Sequence, residues 1–544
     1  MNSSRLTFVV AAVVSMVAVN ACNCGGGVPC ENTTDCPTGS KCLGLVCTED
    51  GDGGDGGGTD GGTDGGTDAS VPCQGLECQQ VTCADGGTTT LTGTVYTPKG
   101  DLPLYNAIVY VPNGPVQPFP DGGVTCDRCG PVSGNPVATA LTGPDGTFRL
   151  ENVPVGNNIP LVIQLGKWRR QVTVPAVTAC QVAPITDVGL TRLPRNKAEG
   201  DIPRMAIATG KADPFECLLL KVGLDPSEVT VPSGNGRVHY YRADEGIDLA
   251  TTAPRSDQLW GSVDTLKQYD VVMLPCEGTA SVNDTGTVKT NAGKQNIVDY
   301  TSAGGRMFAT HYSYTWIRNT PFPEVATWRV SSNADPVNPY TDRFDAGVNT
   351  SFPKGEAFAD WLVNVSASET HGWIGLNEVR HNVDAVDAGV ARPWIVGYNA
   401  RLTGGGGPIV PHFTFNTPVN PPALPDGGEG LQCGRTVFSS FHVSANAVDT
   451  NLGTTFPTIC KDEAPSAQEK ALIFMFFDLA SCVQDDDTAP EIPTCSDIGQ
   501  VCTTNANCCG GLQCVDGVGN LCAGGACSCD VIIGSREQSG GDRR

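Results

Sequence analysis

Basic residues are scarce in this chain. Its 34 Lys and Arg stand against 58 Asp and Glu, for a formal net charge of −24. That balance speaks against nucleic acid as a partner, because binding it needs a basic footprint. An acidic exterior mainly supports solubility. Long apolar runs are missing too: beyond the first 22 residues, no stretch is apolar enough to span a bilayer. No HxH or HExxH spacing, which would mark a His-based metal site, occurs either.

What is there begins with "MNSSRLTFVVAAVVSMVAVNAC". Arg5 precedes an apolar run from Leu6 to Val19, too short for a membrane span but the right length for a signal-peptide core. The run ends in Val19-Asn20-Ala21-Cys22, which resembles a bacterial lipobox. The resemblance implies a signal peptide over residues 1–21 and lipidation of Cys22; export without a lipid is the alternative. The expected partner is then a membrane, reached through a lipid anchor. The expected location is the cell envelope, at the outer membrane or cell surface rather than the inner membrane.

The 25 Cys fit an oxidising compartment, and they cluster towards the two ends. Residues 22–49 read as a small Cys-rich module, too short to bury a core without staples. Two disulfides with one Cys over is the simple reading, and zinc is its rival. Residues 50–70 repeat GGTD and read as a hydrated flexible linker rather than a calcium-binding repeat. Residues 490–530 hold Cys495, Cys502, Cys508, Cys509, Cys514, Cys522, Cys527 and Cys529, and resemble a knottin-like module. Residues 531–544 read as a disordered tail.

Residues 71–195 carry short β-rich runs between Gly, Pro, Asn and Asp turns, which predicts an antiparallel β-sandwich. "LTGTVYTPKGDLPLYNAIVYV" followed by "ATALTGPDGTFRLENVPVG" resembles a carboxypeptidase regulatory-like, transthyretin-like domain. The most telling piece is the turn from Thr142 to Phe148. Such domains bind or support and do not catalyse. Cys126 and Cys129, with Cys73, Cys78, Cys83 and Cys180, are expected to form surface disulfides; a redox CxxC is the rival reading.

Residues 200–484 alternate strand and helix patterns. "DPFECLLLKVG" predicts a helix with Asp213 at its N-cap, Pro214 at N1 and Gly223 as its stop. "SAQEKALIFMFFDLASC" predicts a helix with a Ser466–Glu469 capping box, apolar nearly all round and therefore buried. The alternation predicts an α/β, flavodoxin-like domain with a mostly parallel sheet. Residues 317–433, rich in Pro and Gly near their end, read as a long insertion. Loops at the carboxyl ends of parallel strands converge. The convergent set is Asp213, Cys276, Glu277, His311, Tyr312, Tyr314, Trp316 and His442.

"YDVVMLPCEG", "VDYTSAGGRMFATH" and "GRTVFSSFHVS" are similar to the class I glutamine amidotransferase-like fold, and within it to the ThuA-like group. An amidotransferase needs a Cys at the elbow, a later His and a carboxylate two residues on. Here the elbow position holds His311, the later His is His442, and Ser444 replaces the acid. The pattern implies a retired active site. The rival is an atypical hydrolase or sugar-modifying enzyme of the ThuA-like type, with His311, His442, Glu277, Cys276 and Asp213 as its catalytic candidates.

Cys276 is expected in a disulfide, with Cys217 as its candidate partner. A metal held by His311 and His442 with Asp213 or Glu277 lacks any supporting spacing, so no metal and no cofactor are expected. Tyr312, Tyr314 and Trp316 are the ligand-binding candidates, and Trp373, Trp394 and Tyr398 add aromatic rings that can stack on sugars. The expected function is non-catalytic binding or adhesion, with carbohydrate, polymer or protein as ligand. A purely structural envelope component is the third possibility.

Overall fold

A computed structural model describes residues 40–43, 46–49, 73–492, 513–516 and 527–530, apart from 121–122, 211, 244–252, 278–288, 319, 321, 323, 330–342, 403–405, 422–430, 444–446 and 454. The expected signal, Cys22, the linker, Ser444, most of the terminal Cys-rich module and the tail lie outside the described residues. The chain divides into two compact units, Met1–Val71 and Pro72–Arg544. In the first, β1 (Ser40–Leu43) and β2 (Val46–Glu49) form an antiparallel hairpin with Cys42 opposite Cys47. No helix among the described residues is long and apolar enough to cross a membrane.

The second unit begins with two small sheets. Its strands are β3 (Thr90–Thr94), β4 (Ile108–Pro112), β5 (Pro136–Leu141), β6 (Thr147–Leu150), β7 (Gly156–Leu165), β8 (Trp168–Val177) and β9 (Val182–Pro184), followed by the short helix α1 (Val188–Thr191). The sheet orders are β6-β3-β9 and β5-β4-β7-β8. All pairings are antiparallel except β3 with β9, which run parallel. The Thr142–Phe148 turn is closed by Asp145, whose Oδ1 accepts from the Thr147 amide at 2.9 Å. Phe148 then enters the core over Gly93, where a Cβ would lie 2.9 Å from its ring. Only glycine fits there without moving the ring.

The rest of the unit is built on one large sheet. Along the chain come β10 (Met205–Ala208), α2 (Phe215–Lys221), β11 (Val229–Thr230), β12 (Val238–Tyr241), α3 (Asp257–Trp260), α4 (Val263–Leu266), β13 (Val271–Leu274), α5 (Asn291–Ser302) and β14 (Arg306–Thr310). Then follow β15 (Ala326–Trp328), β16 (Phe344–Val348), α6 (Pro353–Asn364), β17 (Trp373–Leu376), β18 (Val383–Val386), β19 (Ala391–Asn399), β20 (Gly407–Thr417), β21 (Gly434–Ser439) and α7 (Ala467–Ala480). The hairpin of β22 (Gln513–Asp516) and β23 (Cys527–Asp530) closes the list.

The large sheet has ten strands in the order β11-β12-β10-β13-β14-β21-β20-β19-β16-β17. From β11 to β21 every pairing is parallel. From β21 to β17 every pairing is antiparallel. Residues 317–433, expected as an insertion, lie between the neighbouring strands β14 and β21. They supply the antiparallel half of the sheet, because β20 takes the open edge of β21.

Strands of the parallel half are buried on both faces, as their near-continuous apolar runs require. Successive residues feed two cores: Met205 and Ile207 join α2 and α7 on one side, while Ala206 and Ala208 join α3, α4 and α5 on the other. Helix α7 also packs on the small sheets, with Phe476 and Phe477 against Trp168. On its other flank Phe474 meets Trp361 and Trp394. Contact on several sides explains why its sequence is apolar nearly all round. Its capping box forms as expected.

A buried charge cluster pins the same helix. Arg435 lies 2.9 Å from both Asp478 and Asp486, and Lys354 lies 2.9 Å from Asp478. The disulfides partly correct the sequence expectation. Cys73–Cys78 and Cys83–Cys180 stay local, but Cys126 reaches Cys433 and Cys129 reaches Cys482. The CxxC segment thus ties the small sheets to the large one instead of decorating a surface.

Candidate functional site

Strands β13, β14 and β21 are parallel neighbours, so their carboxyl ends share one edge of the sheet. Cys276 follows β13, His311 follows β14 and His442 follows β21. His311 sits at φ 43°, a left-handed conformation rare for a residue with a Cβ. The chain turns there directly from strand into the short 3₁₀ segment His311–Trp316. This sharp elbow aims the imidazole back over the strand ends.

Three of the expected residues meet. Cys276 Sγ lies 3.1 Å from His311 Nδ1, and the rings of His311 and His442 are 5.7 Å apart. One ligand-type atom from each of the three residues lies within 4.8 Å of the others. All three are buried. Burial pushes the His311 imidazole well below its ordinary value, with His442 and Arg380 adding to the effect. Burial likewise pushes His442 down to about 4. Both rings are neutral at pH 7.

Asp213 organises the cluster without joining it. Its carboxylate accepts from the Val443 amide at 2.8 Å and from the Thr310 hydroxyl. Thr310 Oγ1 in turn accepts from the Cys276 amide at 3.0 Å. One buried carboxyl therefore ties together the loops that carry all three residues. It does not cap α2, whose N-cap is Pro214. This corrects the expected capping role: the side chain turns into the sheet edge instead. Burial holds the Asp213 carboxyl well above the usual range, although its hydrogen bonds oppose the shift.

Glu277 turns elsewhere, to Lys289 at 3.1 Å. Among the described residues, the carboxylate nearest His442 is Glu378, whose Oε2 lies 3.8 Å from Nδ1. No sequence motif pointed to Glu378; it arrives from the loop between β17 and β18. The expected Cys276–Cys217 bridge does not form. Cys276 keeps its thiol, and Cys217 pairs with Cys460. Helix α2 points Cys217 into the core, while Cys276 lies beyond the strand end.

The expected aromatic contacts divide. Tyr312 is partly buried, its ring 4.0 Å from that of His311. Tyr314 packs on Trp328, and Trp316 is fully buried against Trp260 at 4.7 Å. Neither of these two rings is presented to solvent. Trp394 is also fully buried.

Exposed aromatic surface lies instead on the antiparallel half. Trp373 on β17 pairs with Gly347 on β16, and Gly347 pairs with Val396 on β19. Directly opposed residues project to the same face, and so do residues two apart along one strand. Trp373 (53%), Val396 (36%) and Tyr398 (59%) therefore stand exposed together, with glycine between them.

No family model matches the chain, and no curated protein matches it. Among solved structures it is similar to the cytoplasmic protein STM3548 from Salmonella typhimurium, at 14% identity over 51% of this chain and 98% of that one, with a TM-score of 0.25. It is similar to a ThuA-like protein from Parabacteroides merdae at 13% identity, over 53% and 94% of the two chains, with a TM-score of 0.26. A cohesin–X-dockerin complex from Acetivibrio cellulolyticus covers 25% of this chain and 85% of its own, at 14% identity and a TM-score of 0.15. Likeness at this level decides neither fold nor function, so the geometry has to.

Proposed function

We propose that this is an exported, lipid-anchored envelope protein that binds carbohydrate without chemistry, through Trp373 and Tyr398. The observation that carries the reading is the exposure of these two rings, with Val396, on one face of the antiparallel strands. A pyranose ring presents an apolar face that stacks on an aromatic ring, and the exposed Arg343 and Asp345 on the same sheet supply polar groups for hydroxyls. The disulfides support export, because they persist in an oxidising compartment. Lipidation at Cys22 is part of the same proposal. So is the placing of the small sheets in the carboxypeptidase regulatory-like group, supported by the Thr142–Phe148 turn, and of the parallel strands in a flavodoxin-like, ThuA-like fold, supported by the elbow at His311.

The test is depletion of the full chain from solution by insoluble cellulose, chitin and peptidoglycan. Binding to at least one is expected, with Trp373→Ala and Tyr398→Ala each lowering affinity about tenfold and leaving the melting temperature unchanged. Binding that survives both substitutions overturns the aromatic surface. Absence of binding to all three favours the structural envelope component.

One observation favours a second reading, a thiol-dependent hydrolase or sugar-modifying enzyme: Cys276 Sγ lies within reach of the His311 imidazole. Against it stand the full burial of the thiol and the imidazole at the elbow, where a nucleophile belongs. If the enzyme reading holds, iodoacetamide labels Cys276 quickly in the folded chain and His311→Ala slows the labelling.

A further inference from the structure

We propose that Cys276, His311 and His442 form a zinc site, with three protein ligands from three adjacent strand ends. The inference is independent of carbohydrate binding, which lies on the other half of the sheet. Zinc bound tetrahedrally by one thiolate and two imidazoles holds its ligand atoms about 3.5 Å apart, given the usual Zn–S and Zn–N lengths. Here the sulfur and one His311 nitrogen are 3.1 Å apart, and all three ligand atoms fall within 4.8 Å. Small side-chain adjustments close that difference.

The donor set selects the ion. One soft sulfur and two imidazole nitrogens suit zinc or copper and do not suit magnesium or calcium, which take oxygen. Buried, tetrahedral Cys and His sets are the usual home of structural and catalytic zinc, and the titration below separates zinc from copper.

Hydrogen bonds behind the ligands orient them as metal sites require. His442 Nδ1 lies 3.1 Å from the Val443 carbonyl oxygen, so that nitrogen must carry the proton and Nε2 keeps its lone pair. Gln468 Nε2 holds the His442 carbonyl at 2.7 Å, fixing the loop behind the ring. Asp213 and Thr310 fix the backbone around Cys276 and Val443. His311 Nε2 is buried and lacks a hydrogen-bond partner among the described residues. His311 presents Nδ1 to the Cys276 sulfur at 3.1 Å, so Nδ1 is its ligand atom and Nε2 carries the proton of the neutral ring. Zinc binding displaces the Cys276 thiol proton to solvent, one proton per ion. The fourth position falls to water, since Glu378 stands on the Nδ1 side of His442.

A rival cluster is Glu356, Asp360 and His371, which is exposed. There His371 already lies within 3.4 Å of Glu356 and 3.3 Å of Asp360. An exposed set of this kind binds weakly and contains no sulfur.

The experiment is cobalt titration of the full chain after dialysis against EDTA, followed by displacement with zinc. One Co2+ per chain is expected, with a thiolate-to-cobalt charge-transfer band and the strong visible bands of a four-coordinate ion. Zinc abolishes both. Cys276→Ser removes the charge-transfer band, and His442→Gln weakens binding by more than the roughly 10–100-fold typical of losing a group that only hydrogen-bonds a ligand. His371→Asn changes nothing. Circular dichroism establishes that each variant is folded, and zinc protection of Cys276 from iodoacetamide in the parent protein gives a readout that needs no variant. The proposal is overturned by any of three results: a charge-transfer band that persists in folded Cys276→Ser, binding that disappears in His371→Asn, or a parent chain that takes up neither cobalt nor zinc, whether or not it takes up copper. Failure here leaves the polysaccharide depletion result untouched, so the two proposals are separable.

Discussion

The two halves of the ten-stranded sheet solve different problems with one backbone. In the parallel half both faces are covered by helices, and chemistry collects at the carboxyl ends, where Cys276, His311 and His442 converge. In the antiparallel half one face is partly open, and what it offers is a flat row holding Trp373, Val396 and Tyr398. Parallel strands need crossovers, and crossovers bury both faces. Antiparallel strands need only turns and can leave a face to solvent. A single sheet therefore offers a closed polar cluster and an open aromatic surface, on opposite sides of β21.

The sharpest way to break this comparison is to remove one tryptophan from each face of the antiparallel half. Trp394 is fully buried between Phe352, Phe358 and Phe474, and its Nε1 donates to Thr414 Oγ1 at 2.8 Å. Trp394→Ala should cost about 3–5 kcal/mol in chemical denaturation. Trp373→Ala should cost no more than about 0.5 kcal/mol, as surface changes do. Equal losses would mean that the Trp373 face is covered.

Next in size is the Cys217–Cys460 bridge, which ties α2 of the parallel half to the segment before α7. Replacing both Cys by Ala should lower stability by about 2–4 kcal/mol. The loss should leave polysaccharide binding unchanged if the open half is independent of that bridge.

The smallest effect concerns His412, on the strand where the two halves join. It is buried between Phe308 and Phe441, with neither ring nitrogen partnered among the described residues. Burial pushes its imidazole from 6.5 down to about 3. The unfolded chain takes up this proton first, so stability falls as pH drops from about 6.5 to about 3, and the group contributes no pH dependence above that window. His412→Leu should flatten this acid limb. Its advantage over the parent should be about 2 kcal/mol larger at pH 5 than at pH 7.5, read from denaturation at both values. An unchanged acid limb would place the titrating group elsewhere, His442 being the first alternative.

Much of this architecture was legible from local pattern. The α7 capping box, the strand after Gly304 and the elbow at His311 follow from apolar runs, caps and turn residues read in short windows. Convergence of Cys276, His311 and His442 followed from parallel topology alone. Other features had no local signal. Glu378 lies far along the chain from His442, Cys126 and Cys129 pair across hundreds of positions, and nothing in the Pro- and Gly-rich stretch of 317–433 told that this insertion extends the sheet from the edge of β21. Trp316 and Trp394 could not be told from Trp373 by composition, since burial depends on what packs against each ring.

By itself the sequence determined the class of each segment: acidic balance, Cys-rich ends, β-rich runs and alternating helices and strands. Periodicity, capping and turn chemistry act over a few residues, so they can be read along the chain. Tertiary structure alone decided which Cys bridged, which Trp stayed in solvent and which carboxylate approached His442. Those outcomes depend on strand order and on cores assembled from distant segments, and neither is encoded in any one window.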